Sequence, residues 1–206
     1  MKTKITLENI FFRIKYYSLR PLTYIHLLSG RLSKPGFLKK AQWRQLISIY
    51  NKHNCESFLE FGSGRSTIYF AQKIKSKNFL SINPISEMKY TNIVREKFEL
   101  LNTKNNNIQI INSEVEKQEI NSKKTINYNF PFLSNYDLIY IDGPSKKVNG
   151  SDLIYNILDR SIKSKIIFID GRQEMVFEIK ELLTKKLIKF EVKTSVLLNY
   201  AYFKIN

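Results

Sequence analysis

Sulfur, histidine and acidic residues are all scarce in this chain of 206 residues. One cysteine, Cys55, excludes a disulfide framework and fits a reducing, cytoplasmic setting. It reads as a small core residue rather than a nucleophile. Of two histidines, His53 sits in a polar His-Asn-Cys turn and reads as structural, while His26 lies near the N-terminus as a base candidate. Long apolar runs are missing as well. No uncharged stretch exceeds the twelve residues Thr125–Tyr136, so none spans a bilayer as a simple helix. The first residues lack a clean apolar core followed by a cleavage site, so secretion is not expected.

Acids number 18 against 34 basic residues, giving a formal charge of +16. Only eight of the basic residues are Arg, and Lys, Asn, Ile, Tyr and Phe are heavily used, the pattern of an AT-rich genome. A basic surface favours anionic partners. No run rich in Arg and Gly and no RNA-binding aromatic signature is present, so nucleic acid is a possible but not the favoured partner.

What is present suits a sizeable core, since 43% of residues are hydrophobic. Residues 1–40 form a basic, aromatic-rich segment with two short helices expected around Pro21 and Pro35-Gly36. Such a segment either caps a ligand site or lies on an anionic membrane surface or acidic partner. Residues 41–206 form the main domain.

That domain is organised around Phe58–Thr67, FLEFGSGRST, which reads as strand, glycine turn and helix start. Helices are expected over Ala41–His53, Ser66–Lys75, Glu87–Asn102, Ser151–Ile162 and Gln173–Lys186. In Glu87–Asn102, Met88, Ile93, Val94, Phe98 and Leu101 form the expected core side. Strands are expected over Ser57–Phe61, Asn78–Ile82, Ile108–Ile111, Tyr136–Ile141, Lys165–Ile169, Phe190–Leu198 and Ala201–Ile205, the last two as a hairpin around Asn199-Tyr200. Asn112–Asn135 shows no dominant period. It reads as a loop with a weakly helical piece near Val115–Ile120 and an aromatic substrate lid at Tyr128, Phe130 and Phe132. Alternating strands and helices imply an α/β domain with a largely parallel sheet covered on both faces.

Strand ends carry the candidate chemistry: Glu60, Asn83, Asp142 and Asp170 share the edge of Gly62 and Gly64. Arg172, directly after Asp170, could pair with it or with an anionic substrate. A nicotinamide fingerprint wants a third Gly where Thr67 stands, which disfavours hydride transfer.

Glu60-Phe61-Gly62-Ser63-Gly64 resembles the acidic-x-Gly-x-Gly signature of the class I S-adenosylmethionine-dependent methyltransferases. Tyr136–Asp142, YDLIYID, is similar to that family's fourth strand with its terminal Asp. The resemblance implies a Rossmann-like three-layer sandwich, a mostly parallel seven-stranded sheet with an antiparallel C-terminal hairpin. It implies S-adenosyl-L-methionine as cofactor, with Glu60, Gly62, Ser63, Gly64, Ser66, Asn83, Ser113, Glu114 and Asp142 binding it. Arg65 would line the same turn. Asn83 departs from the family's usual acid, which weakens bidentate ribose binding; Glu87 is a substitute. Asp142 or Asp170 would serve as base or orient a hydroxyl acceptor. A metal is not expected, because Gly171 replaces one ligand of the metal-dependent members. The expected acceptor is a sugar or other small-molecule hydroxyl. Alternatives are a nucleic-acid or membrane-associated methyltransferase and a non-catalytic cofactor-binding member. The oligomeric state has no signature in the sequence.

Overall fold

The computed structural model describes residues 37–101, 107–120, 123–143 and 163–206. Helix α1 (Phe37–Lys52) leads into β1 (Ser57–Phe61), α2 (Arg65–Lys73) and β2 (Asn78–Pro84). A 3-10 turn, Ile85–Glu87, precedes α3 (Met88–Leu100) and β3 (Ile108–Ser113). Next come β4 (Val115–Ile120), β5 (Lys123–Tyr128), β6 (Asn135–Ile141), β7 (Lys163–Asp170), α4 (Gln173–Lys185), β8 (Phe190–Ser195) and β9 (Tyr200–Ile205). Of the basic segment 1–40, residues 1–36 lie outside the described residues, as does the helix expected over Ser151–Ile162; the segment's last four residues begin α1. Among the described residues, no helix is long and apolar enough to cross a membrane.

Seven strands form one sheet in the order β3-β2-β1-β6-β7-β9-β8. Strands β3, β2, β1, β6 and β7 run parallel, and β9 pairs antiparallel with both β7 and β8. The expected sheet and closing hairpin are therefore present. Period-2 alternation sorts each central strand into two buried faces, as a sheet covered on both sides requires. Phe58, Phe79, Leu138, Tyr140, Ile166 and Phe168 pack with Trp43, Leu46, Ile49 and Tyr50 of α1 and Phe70 of α2. Leu59, Phe61, Leu80, Ile82, Ile139, Ile141, Ile167 and Ile169 pack on the other side with Met175, Ile179 and Leu183 of α4. Register pairs Glu60 with Ser81 on one side and with Tyr140 on the other. Parity thus puts Glu60, Asn83, Asp142 and Asp170 on the face toward α1 and α2.

Three expectations need correction. Asn112–Asn135 is not a loop with a helical piece. Val115–Ile120 is strand β4, paired antiparallel with β5 in a separate two-stranded sheet. The aromatic cluster is core rather than lid: Tyr128 is buried, and Phe61 packs on Tyr128 at 5.5 Å and Phe132 at 5.8 Å. The expected apolar side of α3 is largely outside the core. Met88, Ile93 and Leu101 are exposed, and Thr91 and Val94 are the helix's buried residues.

Candidate functional site

The sheet order reverses between β1 and β6, the position where open α/β sheets place their ligands. The two strand ends meet there at a pair of glycines. Gly62 has φ +107°, and a Cβ on it would lie 2.4 Å from the Gly143 backbone nitrogen. Gly62 is therefore required by its contact with Gly143, beyond any approach of a ligand. Asp142 and Gly143 both donate their N–H to the Phe61 carbonyl, at 3.0 and 2.6 Å. Gly64 differs: a Cβ there would meet the Tyr90 hydroxyl at an ordinary 3.5 Å.

Above this junction opens a cavity of about 250 Å³, lined by Lys39, Trp43, Gly62–Ser66, Asn83, Glu87, Tyr90, Asp142 and Gly143. Gly64 is the N-cap of α2 and offers no side-chain oxygen to the helix's first N–H groups. Its own N–H donates to Thr67 Oγ1 at 2.7 Å, which locks the turn to the first turn of the helix.

Beneath the turn lies a network of hydroxyls around one carboxyl group. Glu60 is fully buried and accepts hydrogen bonds from Ser66 Oγ and Ser81 Oγ, each at 2.7 Å. Burial pushes the Glu60 carboxyl up to about 7, with Thr67, Ser81 and Ser66 opposing that shift. Ser63 Oγ and Ser81 Oγ sit 2.8 Å apart. Asn83 accepts from the Ser63 N–H at 2.8 Å and donates to the Ser63 carbonyl at 3.3 Å and to Thr91 Oγ1 at 2.9 Å. An aspartate could accept the first bond but could not donate the other two. Asn83 thus clamps the middle of the glycine turn.

The opposite wall is ionic. Asp170 accepts hydrogen bonds from Gln42 Nε2 at 2.7 Å and Tyr140 Oη at 3.0 Å, and pairs with the Lys39 ammonium. Burial raises the Asp170 pKa, but Lys39, Gln42 and Tyr140 together hold it below the ordinary aspartate value. Burial works against the Lys39 ammonium, yet Asp142 and Asp170 carry its pKa above the usual lysine value. Asp142 is raised by burial and by Asp170, with Lys39 and Arg172 opposing. Arg172 donates to the Asp142 backbone carbonyl at 2.9 Å.

Of the residues singled out in the sequence, Gly62, Ser63, Gly64, Ser66, Asn83 and Asp142 converge on the cavity. Glu60 lies beneath it, and Asp170 lies behind Lys39 with both carboxylate oxygens bonded. Ser113 and Glu114 are not on the cavity wall: Ser113 Oγ donates to the Glu114 carbonyl at 3.0 Å. Lys39, Trp43 and Tyr90 escaped the sequence reading. The spacing of Lys39 and Trp43, four residues apart on α1, is the one signal that puts both on one helix face. Among the described residues, no group of three or more His, Cys, Asp or Glu could hold a metal ion.

No protein-family model and no curated protein matches the sequence. Solved structures do match. The methyltransferase domain of bacterial CtHen1 aligns over 81% of this chain and 99% of its own, with 7% identity and a TM-score of 0.56. The catalytic domain of hMettl16, in complex with the MAT2A 3'UTR hairpin 6, aligns over 84% of this chain and 71% of its own, with 14% identity and a TM-score of 0.53. A putative caffeoyl-CoA O-methyltransferase from Staphylococcus aureus aligns over 93% and 91%, with 12% identity and a TM-score of 0.51. The fold is that of the class I S-adenosylmethionine-dependent methyltransferases. At 7–14% identity the likeness is one of architecture. Within this class I fold, the β1–α2 glycine turn and the end of β6 border the cavity.

Proposed function

We propose that this chain is a methyltransferase that uses S-adenosyl-L-methionine to methylate a hydroxyl of a sugar or other small molecule. The observation that carries the reading is the cavity at the β1–β6 junction. Its lining supplies what that cofactor needs: a tight backbone turn, two carboxylates (Glu87 and Asp142), a cation (Arg65) and an aromatic ring (Tyr90). The residues present therefore fit the cofactor.

The turn Gly62–Ser66 holds the amino-acid end, with Glu60 fixing Ser66 from below. Glu87 takes the ribose diol in place of Asn83, whose amide is spent on Ser63 and Thr91. When bound, S-adenosylmethionine supplies an electrophilic methyl group on a sulfonium. The chain's own contribution is to align the acceptor and take its proton. Asp142 stands on the cavity wall with a raised pKa, and a more basic carboxylate is a better proton acceptor. Asp170 acts through Lys39, which it anchors.

The test is release of S-adenosylhomocysteine in the presence of a panel of sugars and phenolic hydroxyl compounds. Asp142→Asn is expected to lower kcat by about 10²–10⁴-fold. Cofactor binding without turnover on any acceptor would favour a non-catalytic binder. The formal charge of +16 supports a second reading, methylation of nucleic acid. In that case turnover on RNA should fall steeply as salt rises, whereas small-sugar turnover should not.

A further inference from the structure

Two carboxylates stand side by side under α1, and one lysine answers both. Ile141 of β6 pairs in register with Ile169 of β7 on neighbouring parallel strands, so Asp142 and Asp170, each the next residue, are neighbours as well. Burial is the first cause that raises the Asp142 pKa, and a side-chain hydrogen bond with Asp170 is another, so the two carboxyl groups lie within reach of each other. Lys39 pairs with Asp170, lines the cavity together with Asp142, and has a side chain only 16% exposed. Burial works against its ammonium, and the charges of Asp142 and Asp170 more than offset that. A second cation acting on Asp142, Arg172, donates to the backbone carbonyl of that residue. Two adjacent carboxylates beside a polar cavity are donors suited to a divalent cation such as Mg²⁺ or Mn²⁺. Here a compact point charge on a flexible four-carbon stem stands with them instead.

We propose that Lys39 is a resident cation, whose ammonium fills the place where Asp142 and Asp170 would otherwise hold a divalent metal ion and keeps such ions out. A metal ion entering this place meets a like charge that Asp170 anchors. Without any cation, two neighbouring carboxylates repel each other and one of them takes up a proton. A protonated Asp142 could not accept a proton from an acceptor hydroxyl. Lys39 is the first of the charges that oppose this at Asp142. It is therefore a positioning residue, acting through the Asp142 carboxylate. The consequence for turnover rests on the methyl-transfer reading above: methylation by this chain needs no divalent ion.

The test exchanges the resident cation for a supplied one, with melting followed at constant ionic strength and no cofactor present. In Lys39→Ala, Mn²⁺ at about 100 times its Kd should raise the melting temperature by roughly 5–10 °C. The wild type should show no rise with Mn²⁺ and no fall with EDTA. Lys39→Ala combined with Asp142→Asn should lose the Mn²⁺ response, which places the ion at this pair of carboxylates. If Lys39→Ala is unfolded without metal, the expected response is recovery of the folded signal when Mn²⁺ is added. The proposal is overturned if Lys39→Ala gains nothing from Mn²⁺ or stays unfolded in it. It is also overturned if the wild type gains as much, or if the double variant responds like the single one. With an acceptor in hand, EDTA should leave release of S-adenosylhomocysteine by the wild type unchanged, and loss of turnover would overturn the proposal as well. Failure of the folded wild type to bind S-adenosylhomocysteine removes the methyl-transfer reading, and the Mn²⁺ result still decides the role of Lys39.

Discussion

Two carboxyl groups, Glu60 on β1 and Asp170 at the end of β7, lie on the same face of the same sheet, and both are buried. Glu60 is held by the hydroxyls of Ser66 and Ser81, with no cation among its hydrogen-bond partners. Asp170 is held by an ammonium, an amide and a phenol. Burial works to raise the pKa of both, and at Asp170 the Lys39 charge together with the Gln42 and Tyr140 hydrogen bonds reverses the outcome. The site therefore has a wall of neutral hydroxyls under the glycine turn and an ionic wall under α1. The first shapes a backbone cradle. The second fixes a lysine beside Asp142.

The largest test of this contrast removes Asp170. Asp170→Ala leaves the Lys39 ammonium buried without its carboxylate partner, and unfolding in urea should show a loss of about 3–5 kcal/mol. The matching change on the other wall, Glu60→Gln, has no ion to strand. Its signature is instead a change in pH dependence. Glu60 holds its proton more tightly folded than unfolded, so its contribution to stability declines as pH rises from 4.5 to about 7. By about pH 7 that decline amounts to roughly 3 kcal/mol. Glu60→Gln should flatten the stability profile across this window. Asp170, with its lowered pKa, contributes stability above the ordinary aspartate range and loses it only at more acidic pH. A wild-type profile with no slope between 4.5 and 7 would contradict the assignment of a neutral hydroxyl wall.

A smaller effect is expected from Asn83→Asp, which keeps the bond accepted from the Ser63 N–H and loses those donated to Ser63 and Thr91. A loss of about 1–3 kcal/mol in urea unfolding is expected, with no gain in cofactor affinity. Tighter cofactor binding by the aspartate would show that position 83 serves the ribose and not the turn.

Much of this architecture was legible because it follows from period 2. The strands FLEF, YDLIYI and KIIFID alternate between two apolar faces, and their parity carries Glu60, Asp142 and Asp170 to one side. The acid-and-glycine turn was legible for the same reason, since it directly follows such a strand. The β4–β5 hairpin was not: Lys, Glu, Gln and Asn dominate it, and no apolar alternation marks its two strands. Lys39 was hidden by distance. Its partner Asp170 lies 131 residues along the chain, and nothing local distinguishes it from the many other lysines. The role of Gly62 was legible only in part, because the atom that excludes a side chain belongs to Gly143, just past the end of another strand.

The cavity above Gly62–Ser66 is proposed to hold S-adenosylmethionine. Thermal melting with and without S-adenosylhomocysteine tests it most directly. Ligand at about 100 times its Kd should add about 2.7 kcal/mol, a rise in Tm of roughly 5–10 °C for a chain of this length. Gly64→Ala, whose Cβ the fold accommodates, should melt close to the wild type without ligand and show a smaller rise with it. A folded protein whose Tm is unmoved by millimolar S-adenosylhomocysteine would show that the cavity does not hold this cofactor.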